Sequence, residues 1–166
     1  MIQKIVSGGQ TGADRAALDF AIRHNITHSG WVPKGRKAED GTLPYKYHLQ
    51  EMPTGEYSER TEKNILDSDG TLIISHGILT GGSALTKELA KLYRKPWIHI
   101  DLEATPYPKA SSMIREWIRH NGIKVMNVAG AMASKDPKIY QAVTELLEAV
   151  KRVRATLPKS EKSVRG

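Results

Sequence analysis

Two glycine-rich turns carry the first chemistry in the sequence. Ser7-Gly8-Gly9-Gln10-Thr11-Gly12-Ala13-Asp14-Arg15 lies between a short apolar run and a helical pattern. Glycines let a backbone turn tightly and approach a ligand, and the free N–H groups and positive dipole of a following helix suit an anion. The turn is a phosphate cradle by type. It is not a P-loop, because no Gly-Lys-Ser/Thr follows, and it lacks the G-x-G-x-x-G spacing of a dinucleotide site. A purely structural strand-to-helix turn, with Thr11 as N-cap and Asp14 in capping-box position, competes with that reading. Asp14 could also hold a cation beside a phosphate, and Arg15 could pair with the phosphate itself. The second turn runs from Ser75 to Thr86 and contains Gly81-Gly82-Ser83, again between a strand and a helix. Ser83 is expected as its N-cap and Thr86 as a ligand contact. Ligands of open α/β sheets bind beyond the carboxyl ends of strands at a switch point, so the strands ending at Ser7 and Ser75 are expected to be neighbours.

A third feature, Trp31-Val32-Pro33-Lys34-Gly35-Arg36-Lys37, ends the second strand. NAD sites place a carboxylate there for the ribose diol. A basic cluster suits a phosphate instead, so NAD is not the expected ligand. Arg60 and Asn64 stand one helical turn apart and could reach a ligand from the side. The histidines do not form a metal set by spacing, and Gly82-Ser83-Ala84 is not a nucleophile elbow. No catalytic residue and no metal site is expected.

These turns need a scaffold, and the pattern supplies one. Short β-branched runs near Lys4 to Ser7, Ser29 to Val32, Thr71 to Ser75, Trp97 to Asp101 and Lys124 to Val128 alternate with helical stretches. The helices are expected at about Thr11 to His24, Tyr57 to Ser68, Ser83 to Tyr93, Lys109 to His120 and Pro137 to Ala155. In the last of them Ile139, Val143, Leu146, Leu147, Val150 and Val153 recur at helical spacing. Repeated βαβ units predict a three-layer α/β fold with a parallel sheet of five strands. Order 2-1-3-4-5 would make the two turn-bearing strands adjacent. Pro33 to Gly55, with three prolines and three glycines, is expected as a long loop.

Composition narrows the function classes. The 166 residues, 39% of them apolar, suffice for one globular core, so residues 1–156 are expected to form one domain and 157–166 a basic tail. With no cysteine there is no disulfide, thiolate zinc site or cysteine nucleophile. No stretch reaches the ~18 apolar residues of a membrane span and no signal peptide is evident, so a soluble cytoplasmic protein is expected. The net charge is +7, but residues 151 to 166 carry a surplus of five positive charges, which leaves only +2 elsewhere. Nucleic acid is therefore not the expected partner.

Read together, Gly8-Gly-Gln-Thr-Gly-Ala-Asp14, Gly30-Trp-Val-Pro-Lys-Gly-Arg36 with Ala38-Glu-Asp-Gly41, Arg60-Thr61, Asn64, Ser68-Asp-Gly-Thr-Leu-Ile73, Gly81-Gly-Ser-Ala-Leu-Thr86, Lys95-Pro96 and Ile100-Asp-Leu102 resemble the molybdenum cofactor carrier family. The resemblance spans about residues 3 to 150. It implies a Rossmann-like fold within a superfamily of nucleotide-sensing and nucleotide-processing proteins, and cytosolic homo-oligomers that hold molybdenum cofactor (molybdopterin) without transforming it. Molybdoenzymes or cofactor-biosynthesis proteins would be the protein partners. The implied pocket comprises Gly8, Gly9, Gln10, Thr11, Gly12, Ala13, Asp14 and Arg15, then Lys34, Gly35, Arg36, Arg60 and Asn64, then Gly81, Gly82, Ser83 and Thr86. Relatives often continue the fifth strand as Asn-Val-Ala-Gly-Pro-Arg-Glu-Ser. Here Asn127-Val-Ala-Gly130 is followed by Ala131-Met132-Ala133-Ser134, and the arginine is missing.

The leading expectation is thus a noncatalytic binder of molybdenum cofactor or a similar small, phosphorylated, anionic ligand. One alternative is a nucleotide N-glycosidase, because Gly81-Gly-Ser-Ala-Leu-Thr86-Lys-Glu88 is similar to the phosphoribohydrolase pattern, although the shifted spacing turns Glu88 about 100° round its helix. The other is a nucleotide-sensing regulatory module.

Overall fold

The structure, a computed structural model, describes residues 1–152; the basic tail expected at 157–166 lies outside the described residues. In chain order the elements are β1 (Lys4–Val6), α1 (Ala13–Arg23), β2 (Thr27–Ser29), β3 (Trp31–Val32), β4 (Lys37–Ala38), β5 (Gly41–Thr42), β6 (Gln50–Glu51), α2 (Tyr57–Leu66), β7 (Gly70–Ser75), α3 (Gly81–Leu92), β8 (Trp97–Asp101), α4 (Tyr107–Asn121), β9 (Val125–Gly130) and α5 (Ile139–Arg152). Five of the strands form one sheet in the order β2-β1-β9-β7-β8, every pairing parallel. Side chains alternate across it, as the period of two requires. Ile5, Leu72, Ile74, Met126 and Val128 meet α1, α4 and α5 in the main core. On the other face α2 packs against α3. This is the three-layer, Rossmann-like α/β/α architecture that the alternation of elements predicts.

The strand order corrects the expected 2-1-3-4-5, because the last strand inserts between the first and the third. Chemistry along the strands explains the choice. Val125-Met126-Asn127-Val128-Ala129 carries no charge, and its middle residues are buried, as a strand covered on both faces must be. Trp97-Ile98-His99-Ile100-Asp101 is half exposed along most of its length and takes the edge. If β9 is counted first, the order reads 3-2-1-4-5, the arrangement of dinucleotide-binding sheets. The switch point therefore falls between β9 and β7.

The second expected strand also divides. It leaves the sheet at Gly30, whose φ is +149°. A Cβ there would sit 2.0 Å from the Ser7 carbonyl oxygen, so the chain can cross β1 this closely only as glycine. Beyond it, β3 pairs with β6 in a separate parallel ribbon, and β4 with β5 in an antiparallel one. The Pro33 to Gly55 segment thus folds around its own small core of Leu18, Val32, Leu43, Tyr47 and Leu49. Two helix starts differ from expectation as well. The N-cap of α1 is Gly12, not Thr11, and that of α3 is Thr80, not Ser83; neither helix has a side-chain cap.

Candidate functional site

A cavity of about 330 Å³ opens at the carboxyl ends of β9 and β7. Its walls come from four places: the first glycine turn (Gly8, Gln10, Asp14), α2 (Arg60, Asn64), the turn between β7 and α3 (Ser75 to Thr86), and the end of β9 with the loop after it (Asn127 to Asp136). The two glycine turns meet here although their strands are not neighbours. The intervening β9 stops at Gly130, where an added Cβ would lie 2.5 Å from the Ile74 carbonyl oxygen and 2.7 Å from Ala13 Cβ.

Arg60 is the central charge. The residue is 9% exposed, and its Nη1 donates to the Gly8 carbonyl at 2.5 Å and reaches Asp14 Oδ2 at 3.5 Å. Its buried Nε has no partner among the described residues. Gly8 makes room for it, since a Cβ there would fall 1.7 Å from Nη1. Asp14 is buried beside this guanidinium and accepts from the Gln10 N–H at 3.2 Å. Burial pushes its carboxyl above the usual carboxylate range, while Arg60 and the Gln10 N–H pull against that shift.

The donors of the two turns are used differently. In the first, the Gly9 N–H bonds Ser7 Oγ, the Gln10 N–H bonds Asp14, the Thr11 N–H bonds Gln10 Oε1 and the Ala13 N–H bonds the Ala131 carbonyl. Those amides are spent on the turn itself. In the second, the Ala84 N–H reaches back to the Thr80 carbonyl, but the N–H groups of Gly81, Gly82 and Ser83 take no acceptor among the described residues. The amino end of α3 is the open donor set on the cavity.

Of the residues singled out in the sequence, Gly8, Gln10, Asp14, Arg60, Asn64, Gly82, Ser83 and Thr86 line the cavity. Asn64 also fastens α2 to β3, accepting from the Trp31 N–H at 2.8 Å and donating to the Trp31 carbonyl at 3.2 Å. Thr86 donates to the Gly82 carbonyl one turn back. The others lie outside the lining. Gly9 packs on Leu43, Leu49 and Val32, and Gly12 on the Ala131 carbonyl. Ala13 is buried in the main core, and Gly81 is exposed at the helix start. Thr11 donates to Glu39, which also holds Ser134. Arg15 grips Asp40 with two hydrogen bonds of 3.0 and 3.1 Å and holds the Gly9 carbonyl.

The Lys34-Gly35-Arg36 cluster is where the placement departs most from the expected pocket. Lys34 is exposed, and the Gly35 N–H bonds Glu51. Arg36 is buried, and its guanidinium donates to the carbonyls of Leu43, Leu49, Pro44 and Tyr47. A cation saturated by four main-chain oxygens holds a loop together. Its charge is satisfied without a phosphate.

Sequence reasoning missed the wall contributed by β9 and the loop after it. Asn127 lines the cavity with its amide donating to Thr71 Oγ1 at 3.3 Å, and Ala131 and Met132 lie beyond it. Ala131 and Met132, where the resemblance led to an expected Pro-Arg, therefore fall on the cavity wall. His76 and Asp136, also on the lining, are joined by Nδ1 and Oδ2 at 2.6 Å although 60 residues apart. The glycine closing β9 was the available signal. Glu88, the acid needed by the N-glycosidase reading, lies outside the lining with a 67% exposed side chain that pairs with Lys91. Among the described residues no group of three or more His, Cys, Asp or Glu could hold a metal ion, and no helix is long and apolar enough to cross a membrane.

Comparison with known proteins places the molecule. No curated protein matches the chain. A solved structure from Syntrophus aciditrophicus SB, named "Putative molybdenum carrier protein", is 62% identical with a TM-score of 0.90, covering 90% of this chain and 95% of its own. The family model for the circularly permutated YpsA SLOG family matches residues 5–151. A sheet that regains the 3-2-1-4-5 order once its last strand is counted first is what a permuted chain would build, and the protein belongs to the circularly permutated YpsA SLOG family.

Proposed function

We propose that the chain is a cytoplasmic, homo-oligomeric binding protein for molybdenum cofactor (molybdopterin) or a similar phosphorylated anionic ligand, exchanged with molybdoenzymes or cofactor-biosynthesis proteins. The observation that carries the reading is Arg60, a cation nine-tenths buried in the cavity wall with an unpartnered Nε. Gly82 and Ser83, whose amides take no acceptor among the described residues, line the same space. A buried donor without an acceptor is costly, and an anionic ligand would offset that cost. The cavity volume is in the range of small-molecule sites. Molybdopterin fits the donor sets: its terminal phosphate and its oxyanion-bearing metal are two negative ends for Arg60 and the α3 amides, and its dithiolene supplies the metal's sulfur ligands in a chain without cysteine. The neighbour's name supports the same ligand class. With Ala131 and Met132 in the wall instead of the Pro-Arg that the resemblance implies, the ligand preference should differ from that of relatives retaining the arginine.

Equilibrium titration with the cofactor, molybdate and common nucleotides tests the proposal. We expect saturable binding of a phosphorylated ligand. Arg60→Gln should weaken it by roughly ten- to a hundredfold, the worth of a charge-assisted hydrogen bond. No saturable binding to any of these would end the reading.

A further inference from the structure

His76 and Asp136 meet on the cavity wall, and the binding reading gives them no role. His76 follows β7 and Asp136 follows β9, so the two strands at the switch point each deliver one member of the pair. Asp136 Oδ2 lies 2.6 Å from His76 Nδ1, and its Oδ1 accepts from the Lys138 N–H at 3.0 Å. A carboxylate at Nδ1 fixes the imidazole with its proton on that nitrogen and leaves the Nε2 lone pair free. Nε2 has no partner among the described residues and belongs to a side chain 27% exposed, so water can reach it. His76 is held on one side and open on the other, on the wall of a cavity that also contains Arg60 and the open end of α3.

We propose that His76, positioned by Asp136, is a general base and that the protein hydrolyses a phosphoric anhydride bond of a ligand held in this cavity. The inference rests on the anion-binding reading above, because the phosphoryl groups must be held by Arg60 and the α3 amides. Two separate donor sets facing one space suit a ligand with two phosphoryl groups, and the bond between such groups is P–O–P. Water attacks one phosphorus. A new P–O bond forms as the water proton passes to His76 Nε2, and the bridging P–O bond breaks with its electron pair going to the leaving phosphate oxygen. The imidazolium then returns its proton to that oxygen or to solvent. Arg60 and the α3 amides balance charge on the non-bridging oxygens. The reaction needs only water as co-reactant.

The test uses the full chain with inorganic pyrophosphate and ADP as probes, scoring phosphate release and incorporation of ¹⁸O from labelled water. We expect turnover that falls roughly 100-fold or more in His76→Ala and is partly restored by added imidazole. Asp136→Asn should lower kcat by at least about tenfold while KM stays within a few-fold, which a loss of structure would not produce. Affinity of each variant for the same probes is measured in parallel. Binding retained with no hydrolysis above the uncatalysed rate overturns the inference and leaves the binding reading standing. Hydrolysis unaffected by His76→Ala overturns the assignment of the base. No binding of either probe by the unmodified protein overturns the inference, and titration with the cofactor then decides the binding reading separately.

Discussion

Gly8 and Arg60 occupy almost the same few ångströms, and that crowding is itself informative. A methyl group at position 8 would overlap Nη1, so Gly8→Ala should drive the guanidinium off the Gly8 carbonyl and away from Asp14. The side chain can swing aside, so the fold should survive with a loss on the order of 1 kcal/mol, read from the urea midpoint. Anion affinity should fall as far as in Arg60→Gln. A variant that loses affinity with so small a loss of stability would tie the open volume at residue 8 to the ligand. Asp14 makes a second prediction at this scale. Burial raises its pKa in the folded protein above the ordinary 3.8, so the native state binds the proton more tightly than the unfolded chain does. For a carboxyl shifted upward, stability declines as pH rises from 3.8 to the folded value and is flat above it. The stability of the unmodified protein relative to Asp14→Asn should therefore grow as pH is lowered into that window. A difference independent of pH, measured by denaturant unfolding, would show that the carboxyl is not desolvated.

At the scale of elements, α3 is the helix left unfinished. Its N-cap Thr80 makes no side-chain hydrogen bond, and Thr80, Gly82 and Ser83 line the cavity. Thr80→Asp should add a carboxylate cap and raise stability by about 0.5–1 kcal/mol. The same carboxylate would occupy the donors proposed for the ligand, so anion affinity should drop about tenfold or more. Stability rising while binding falls is the signature of a helix end kept open for a ligand. β9 is the other decisive element. Asp69, just before β7, accepts from the N–H groups of Lys124 and Val125 at 3.0 and 2.8 Å and so pins β9 in register. Those bonds hold its carboxyl below the usual range. Its contribution is present above pH 3.8 and is lost as pH falls through the lower folded value.

For the whole molecule, the cavity is assembled from residues between 8 and 136, which lie in four stretches of chain brought to one end of the sheet. Removing residues 157–166 should therefore leave ligand affinity within about twofold, as titration of the truncated chain would show. A large loss would assign the basic tail to the site. How much could be read beforehand follows from range. Helix positions, the α/β class and both glycine turns depend on neighbours a few residues away, and periodicity shows them. The four carbonyls that claim Arg36 lie within 13 residues of it, yet no periodic pattern announces a loop that closes on its own guanidinium. The His76 to Asp136 contact spans 60 residues and exists only because β9 lies beside β7.

The amino-acid order by itself determined the alternating elements, the two anion-suited turns and the family, because hydrophobic period and glycine spacing are local properties written along the chain. Tertiary structure alone decided which turn keeps free donors, that Arg36 serves the loop while Arg60 serves the cavity, and that a histidine and an aspartate meet in it. The physical reason is that strand order is settled by which strand can be buried on both faces, and only that order determines which distant side chains share one pocket.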